Sequence, residues 1–162
     1  MDWETAAYIA TIFQGILLPV SLAFVWYQLR TQSRLTQAAN TQSLVELSSP
    51  FNLLLIQDRD FARLWIHGPR EFATMDEVDQ FRFRNLITWW MIFHENIYYQ
   101  WEKKLIDETT YRAWDSDLRK FVPMVDLLRH WPDFRYVCQK NFVTYVETLI
   151  PEDQRALVPK SG

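Results

Sequence analysis

The sequence predicts an all-α protein, in which a single N-terminal transmembrane helix continues into a stalk and is followed by a small aromatic-rich helical bundle. Three observations lead to this fold class. A stretch near the N-terminus, from Thr5 to Leu29, carries no charged side chain. Apolar residues in the remainder recur at helical rather than strand spacing. Aromatic residues make up 16% of the chain, as expected for packed helical cores or membrane interfaces.

The composition argues against several classes of protein. A nucleic-acid binder needs an excess of Lys and Arg, whereas the formal net charge here is -3. Cys138 is the single cysteine, which excludes internal disulfides and zinc sites built from several thiolates. With only 3 glycines, the chain lacks the glycine-rich loops that bind phosphates. We therefore expect no cofactor, no metal and no nucleic-acid partner.

The first predicted element is a membrane anchor over residues 1–29. As a helix, the run from Ala6 to Tyr27 would span about 33 Å at 1.5 Å per residue, which matches a bilayer's hydrocarbon core. A secretory signal peptide is the main alternative, but such signals begin with basic residues and end in small ones. This N-terminus carries Asp2 and Glu4 instead. A buried core helix is the other alternative.

Residues that favour membrane interfaces flank the predicted span. Tryptophan and tyrosine anchor at the headgroups, and basic residues favour the cytoplasmic side. The predicted interface residues are Trp3, Tyr8, Trp26, Tyr27, Arg30 and Arg34. Because the basic residues follow the span, we expect the C-terminal domain in the cytoplasm.

Three residues within the predicted span, Gln14, Gly15 and Pro19, are atypical of hydrocarbon. An amide there prefers a partner, and proline removes a backbone hydrogen bond. One interpretation is a tolerated kink in which Gln14 bonds locally. The other is a helix-contact surface, where Gly15 lets a partner helix approach closely.

A polar helical stalk is predicted over residues 30–49, before a helical domain over residues 50–150. Pro50 suits the first position of a new helix, with Ser49 as its cap. The apolar spacing that follows predicts one or two short helices, which end at Gly68-Pro69.

The longest helix of the domain is predicted to begin at a capping box formed by Thr74 and Glu77 and to run to about Lys104. Its apolar positions cover more than half of the helix circumference, so this helix should be the spine of the domain. They include Val78, Phe81, Phe83, Leu86, Trp89, Trp90, Phe93, Ile97, Tyr98 and Trp101.

The C-terminal third is predicted to hold two more helices and a tail. One helix begins at Asp107 or Glu108 and is limited by Pro123. A short helical turn from Met124 to Arg129 precedes the other helix, over residues 134–149. Residues 151–162 form the tail.

Several local patterns in order resemble those of a family of small bacterial proteins with an N-terminal transmembrane helix and a helical domain of unknown function. The matching segments are Tyr27-Gln28-Leu29-Arg30, Asp58-Arg59-Asp60-Phe61-Ala62-Arg63-Leu64-Trp65, Phe93-His94-Glu95-Asn96-Ile97-Tyr98-Tyr99-Gln100, and Leu105-Ile106-Asp107-Glu108 with Trp114. The resemblance extends from about Leu17 to Leu149. It implies this fold and a place in the bacterial inner (cytoplasmic) membrane, and it implies no activity.

The pair His94-Glu95 comes nearest to a catalytic or metal-binding motif. The helical zinc motif needs a second histidine one turn later, where this chain has Tyr98. We therefore predict that the protein is not an enzyme. The surrounding residues form a paired polar core, with Glu95 bonded to an arginine such as Arg63, or else a binding pocket or a partner surface. They are Arg63, Trp89, Trp90, Phe93, Glu95, Asn96, Tyr98 and Tyr99.

Three isolated residues receive structural interpretations. His67 and His130 are predicted to bond the free carbonyls at helix C-termini. Cys138 is predicted to be an unreactive core thiol, because it has no histidine nearby in sequence.

The predicted function is that of a non-catalytic accessory or scaffold subunit of a larger bacterial membrane complex. It would dock through its transmembrane helix and its helical domain, so its partners are the lipid bilayer and other membrane-protein subunits. Respiratory or photosynthetic complexes are the first candidates, because they commonly carry small single-pass subunits. The alternative is a membrane-anchored binding module or enzyme for a small molecule or lipid, with an aromatic pocket around Glu95.

Overall fold

The structure is a computed structural model that describes residues 3–123, 131 and 135–155, apart from the side chains of residues 5–14. All regular structure in this part of the chain is helical, which confirms the all-α prediction. The α-helices are α1 (Trp3–Gln57), α2 (Arg59–Glu71), α3 (Glu77–Glu102), α4 (Glu108–Phe121) and α5 (Lys140–Leu149). A short 3-10 helix, Phe72–Thr74, connects α2 to α3. The chain forms two compact units, Met1–Ala39 and Asn40–Gly162.

The first unit consists of the N-terminal part of α1. Its large apolar side chains from Ile16 to Leu29 expose 48–68% of their surface. Pro19 lies inside the helix without ending it. Beside it, the hydroxyl of Ser21 donates to the carbonyl of Leu17 at 2.8 Å. The helix thus continues through a residue that removes one of its own hydrogen bonds.

The predicted membrane span falls within the N-terminal part of α1. Among the residues that the structure describes, no helix is both long enough and apolar enough to cross a membrane. The predicted roles of the Tyr8 and Gln14 side chains lie outside the described residues.

The predicted helix start at Pro50 is wrong, because α1 continues through this residue to Gln57. The hydroxyls of Ser48 and Ser49 both donate to the carbonyl of Val45, at 3.0 and 2.7 Å. They therefore bond backwards inside a helix instead of capping a new one. Ser48 is also buried, so packing holds the helix together across the proline.

The predicted end of the next helix at Gly68-Pro69 is also wrong. The carboxylate of Asp58 caps the start of α2 by accepting from the backbone of Asp60 and Phe61, at 2.9 and 3.0 Å. The helix then includes both Gly68 and Pro69 and ends at Glu71. A Cβ atom at Gly68 would lie 2.2 Å from the ring of Phe83 on α3. This glycine therefore serves the close packing of α2 on α3 rather than a helix end.

The spine helix α3 begins later than its predicted capping box. Its N-cap is Asp76, whose carboxylate accepts from the backbone of Asp79 at 2.8 Å. Thr74, the predicted cap, instead donates its hydroxyl to the carbonyl of Glu71 at 2.8 Å. The inner face of α3 is buried and consists of Phe83, Leu86, Ile87, Trp90, Met91, Phe93, His94 and Ile97.

A tight turn reverses the chain between α3 and α4. Lys104 adopts a left-handed conformation with φ 58, and its backbone donates to the carbonyl of Trp101 at 2.8 Å. The backbone of Leu105 donates to the carbonyl of Gln100 at 2.8 Å, which completes a Schellman motif. The amide of Asn40 on α1 donates to the carbonyl of Leu105 at 3.0 Å. This turn places the end of α3 beside the start of α4.

Two hydrophobic clusters form the core of the second unit. One joins α2, α3, α4 and α5 and includes Ile87, Met91, Leu118, Val122, Trp131, Phe142 and Val146. The other consists of Leu44, Phe93, Ile97, Ile106 and Tyr111. Full burial of such side chains contributes about 1.5–3 kcal/mol each.

The last helix, α5, begins at Lys140 rather than at residue 134. Residues 136–138 form a turn instead of the predicted first helical turns. The helical turn predicted from Met124 to Arg129, and the capping role of His130, lie outside the described residues.

Candidate functional site

A surface groove with a volume of about 560 Å³ opens between the end of α3, α4 and α5. Its lining combines four aromatic rings with two carboxylates and two arginines. The lining residues are Tyr98, Trp101, Glu108, Tyr111, Arg112, Asp115, Ser116, Arg119 and Tyr145.

Two stacked aromatic pairs form the walls of the groove. Trp101 stacks on Tyr111 with ring centroids 4.2 Å apart and an interplanar angle of 12°. Tyr98 stacks on Tyr145 at 5.1 Å and 23°. The indole N–H of Trp101 donates to Glu108 Oε2 at 2.6 Å. The ring of Trp101 is therefore fixed both by stacking and by a charge-assisted hydrogen bond.

Two acid–arginine pairs follow one another along α4. Arg112 Nε donates to Glu108 Oε1 at 2.8 Å, and Arg119 Nε donates to Asp115 Oδ2 at 2.6 Å. Residues four apart are neighbours on a helix surface, and the two pairs are seven residues, or about two turns, apart. Because each carboxylate has an arginine of its own, the formal charge of these four groups cancels.

Asp115 is the buried centre of a small polar network. It is 5% exposed, and besides the bond from Arg119 it accepts a hydrogen bond from the hydroxyl of Tyr145. Arg119 Nη2 in turn donates to the Tyr145 hydroxyl at 3.0 Å. Bonding to Asp115 raises the pKa of Arg119. Burial, followed by the bond to Asp115, raises the pKa of Tyr145. The network thus holds a protonated phenol against a paired carboxylate.

His94 lies in the core beside this network. It is 3% exposed, and its ring packs against Trp90 with centroids 4.1 Å apart. Burial lowers the pKa of His94 to about 4, and Asp115 opposes the shift. His94 is therefore neutral at pH 7 and enclosed by aromatic side chains.

The predicted pairing of Glu95 with Arg63 does not form. The carboxylate of Glu95 accepts a hydrogen bond from the backbone N–H of Gln139, the N-cap residue of α5. Arg63 Nη2 bonds instead to Asp79 Oδ2 at 3.1 Å. Glu95 thus joins α3 to the start of α5, a contact between residues 44 positions apart.

The remaining residues predicted around Glu95 are distributed over different parts of α3. Trp89 stacks between Phe51 and Phe93, with centroids 5.1 and 5.6 Å away. Trp90 belongs to the first core cluster. Asn96 accepts from Gln100 at 3.4 Å, and Tyr99 is 41% exposed. Of the predicted set, Tyr98 is the member that lines the groove.

The outward face of α3 carries a row of largely exposed residues, which we call the outer stripe. Its positions recur every three or four residues, as on one side of a helix. They are Val78, Phe81, Asn85, Trp89, Ile92, Asn96 and Tyr99. The large apolar members expose between 39% (Trp89) and 68% (Phe81) of their surface. The spine helix is therefore apolar on its outer side as well as on its buried side.

A second, more polar cavity of about 360 Å³ lies near the end of α2. Its lining includes Arg63 and Asp79, which pair with each other. His67 Nδ1 lies 3.2 Å from Glu71 Oε1, so His67 pairs with a side chain instead of the predicted backbone carbonyl. Within the described ranges, no group of three or more His, Cys, Asp or Glu residues is placed to hold a metal ion.

Cys138 is half-buried against the first core cluster. Burial raises its pKa to about 12, and the charge of Glu95 adds to the shift. The residue is therefore a thiol, not the nucleophilic thiolate, at neutral pH.

Sequence reasoning missed the groove, although one signal in the sequence pointed to it. Glu108/Arg112 and Asp115/Arg119 repeat an acid–arginine spacing of four after seven residues, which places both pairs on the same side of α4. The partners Trp101 and Tyr145 come from distant parts of the chain, so no local pattern brings them together.

Comparison with known proteins gives no relative: no family model, no curated protein sequence and no solved structure matches this chain.

Proposed function

We propose that the protein is a membrane-anchored, non-catalytic accessory subunit that docks on a helix of a neighbouring subunit through the outer stripe of α3. The exposed apolar row on that helix is the observation that carries the proposal. Exposed apolar patches of this kind mark interaction surfaces in many proteins. Membrane complexes of bacteria, respiratory or photosynthetic ones among them, are the assemblies in which we place it.

The spacing of the outer stripe favours a helical partner over a flat surface. Its members are separated by three or four residues along about six turns of α3, and this spacing suits side-chain interdigitation between two helices. Asn85 and Asn96 interrupt the apolar row. A buried amide at such a position selects the alignment of two helices at some cost in stability.

The proposed anchor is the uncharged part of α1. It carries no Asp, Glu, Lys or Arg from Thr5 to Leu29, and its large described side chains project outward from the helix. The side chains of residues 5–14, which form the first half of the proposed anchor, lie outside the described residues. Trp26 and Tyr27 precede Arg30, whose guanidinium lies 5.3 Å from the centre of the Trp26 ring. This arrangement is suited to a headgroup region.

The proposed orientation places the helical domain in the cytoplasm of a bacterium, with the anchor in the inner membrane. It rests on Arg30 and Arg34, the basic residues that follow the anchor. Gly15 suits a helix-contact role within the anchor, since a Cβ atom there would meet nothing within 4 Å. A partner helix could therefore approach the backbone closely at this point.

The absence of catalysis in the proposal is supported by the state of the polar groups. Glu108 and Asp115 are each held by an arginine, and His94 is a buried neutral imidazole. A general base must be within reach of a substrate proton and near its working pKa. These groups are instead committed to internal contacts.

The docking proposal is tested with a double variant of the outer stripe, Phe81→Ser/Ile92→Ser. Both side chains are exposed, so the folded domain should keep its helical circular dichroism and melting temperature. The protein is extracted from its native membranes in mild detergent and run on a native gel. The wild type should migrate within a larger complex and the variant as a small species. The matched control is Asp117→Ser/Lys120→Ser, which changes an exposed pair on α4.

Site-specific photocrosslinking identifies the subunit that contacts the outer stripe. A benzoylphenylalanine at position 81 or 92 should crosslink to one membrane subunit, whereas the same probe at position 117 should not. A wild-type protein that migrates as a lone monomer, or a stripe variant that keeps the complex, contradicts the proposal. A crosslink to a second copy of this chain replaces it with self-association.

A further inference from the structure

The groove between α3, α4 and α5 is large enough to hold a small molecule. Its volume, about 560 Å³, lies within the range of small-molecule sites. It shares no residue with the outer stripe, so a ligand there is compatible with docking. The polarity of its lining defines the class of ligand.

The aromatic walls provide a surface for a flat ring. Tyr111 is 7% exposed and supports the ring of Trp101, which is half-buried. The indole N–H of Trp101 and the hydroxyl of Tyr145 already have acceptors. Trp101 and Tyr145 therefore present mainly their ring faces and edges to a ligand, which favour stacking.

The carboxylates of the groove are already engaged, whereas its arginines have N–H donors left over. Both oxygens of Glu108 accept a bond, from Arg112 and from Trp101. Both oxygens of Asp115 do so too, from Arg119 and Tyr145. Each arginine has an Nη group beyond these bonds, and Arg112 and Arg119 are 76% and 56% exposed at their side chains.

We propose that the groove binds an aromatic carboxylate, with its ring against Trp101 and its carboxylate on the free edge of Arg112. A guanidinium presents parallel N–H donors that match a carboxylate. The carboxylates of Glu108 and Asp115 are each paired with an arginine. They therefore repel a negatively charged ligand less than unpaired carboxylates would. An aromatic cation would have to compete with the arginines for those same oxygens.

Isothermal titration calorimetry on the full chain in detergent tests this site with three probes of one shape. They are 2-naphthoate, 2-naphthamide and the 2-naphthylmethylammonium ion, which carry a negative, a neutral and a positive group on the same ring. We expect 2-naphthoate to bind with a Kd of about 1 mM or tighter. The amide should bind about tenfold more weakly, and the ammonium ion should bind most weakly.

Two variants locate the binding. Arg112→Gln removes the exposed guanidinium and should weaken 2-naphthoate about tenfold while leaving the amide unchanged. Arg82→Gln is the matched control, since Arg82 forms a similar exposed pair with Asp79 outside the groove. Trp101→Leu should weaken 2-naphthoate and 2-naphthamide alike, because both stack on the same ring.

Several outcomes overturn the inference. They are equal or tighter binding of the amide or the ammonium ion, an unchanged affinity in Arg112→Gln, and no binding of 2-naphthoate up to its solubility. Circular dichroism of each variant separates lost binding from lost folding. The native-gel migration of Arg112→Gln should equal that of the wild type, so failure of this site leaves the docking proposal standing.

Discussion

Leu22 and Leu118 are the same type of residue in opposite surroundings. Leu22, in the N-terminal unit, exposes 68% of its surface, and Leu118, in the helical domain, exposes 2%. Leu118 packs into a cluster that four helices share, whereas the described apolar side chains around Leu22 have no such cluster. An apolar residue therefore favours leaving water, but it is buried only where other parts of the chain pack against it.

Truncating the two leucines to alanine should affect stability very differently. Leu118→Ala should lower the free energy of unfolding by about 4 kcal/mol, because it removes buried contacts and leaves a cavity. Leu22→Ala should change it by less than about 0.5 kcal/mol. Urea unfolding in detergent, followed by circular dichroism, measures both. Equal losses of unfolding free energy in the two variants would contradict the exposed position of Leu22.

The buried His94 should make the stability of the helical domain depend on pH. The pKa of His94 is lowered in the folded state from 6.5 to about 4. The unfolded chain therefore takes up a proton that the folded chain does not, as pH falls from 6.5 to 4. Protonation of His94 in the unfolded chain should therefore lower the free energy of unfolding by about 3 kcal/mol as the pH falls from 6.5 to 4. Above pH 6.5 this penalty is absent.

The measurement compares the wild type with His94→Gln at pH 7.5 and pH 4.0. The stability advantage of the wild type should shrink at the lower pH, since only the wild type carries the penalty. His67→Gln, on the exposed side of α2, is the control for the loss of an imidazole that is not buried. A constant difference between wild type and His94→Gln would contradict the buried neutral imidazole.

Two aspartates on α4, Asp115 and Asp117, should contribute differently to stability. Asp115→Ala removes the acceptor of both Arg119 and Tyr145 and should cost about 2 kcal/mol. Asp117→Ala removes an exposed pair with Lys120, whose atoms lie 3.7 Å apart, and should cost less than about 0.5 kcal/mol. Thermal unfolding of the two variants side by side is sufficient. Similar melting temperatures would place Asp115 outside a stabilising network.

Alanine substitutions at Gly68 and Gly15 should have small effects of opposite sign on the two units. Gly68→Ala should destabilise the domain by about 1–2 kcal/mol, because its methyl group overlaps the ring of Phe83. Gly15→Ala meets no neighbour and should favour the helix by up to about 1 kcal/mol. The sign of each change, from thermal unfolding for Gly68 and helix content for Gly15, checks the two environments. A tolerated Gly68→Ala would mean that Phe83 moves freely.

The same contrast explains how far the sequence could predict the structure. Helical spacing predicted α3 and α4 nearly in full, because both carry local capping and periodic signals. Pro50 and Gly68-Pro69 misled, since tertiary packing holds α1 and α2 through residues that usually end helices. At the start of α3 the N-cap is Asp76 and not the predicted Thr74.

The candidate site was less predictable than the fold. The aromatic stretch around Glu95 was visible in the sequence, but the direction of its carboxylate was not. Glu95 bonds to Gln139 on a segment whose position depends on the whole domain. The groove likewise needs Tyr145 to come against Tyr98, which only the packing of α5 on α3 provides.

The bond from Gln139 to Glu95 also has a consequence for the order of events during synthesis. Helices α3 and α4 are neighbours in sequence and are joined by a tight turn, so they can pair as soon as both have left the ribosome. The start of α5 obtains its carboxylate partner only after 44 further residues follow Glu95. Until α5 has been made, Trp131, which is 1% exposed in the finished fold, lacks its hydrogen-bond partner Glu147. A nascent chain that stalls before α5 is therefore expected to be a substrate for chaperones and proteases.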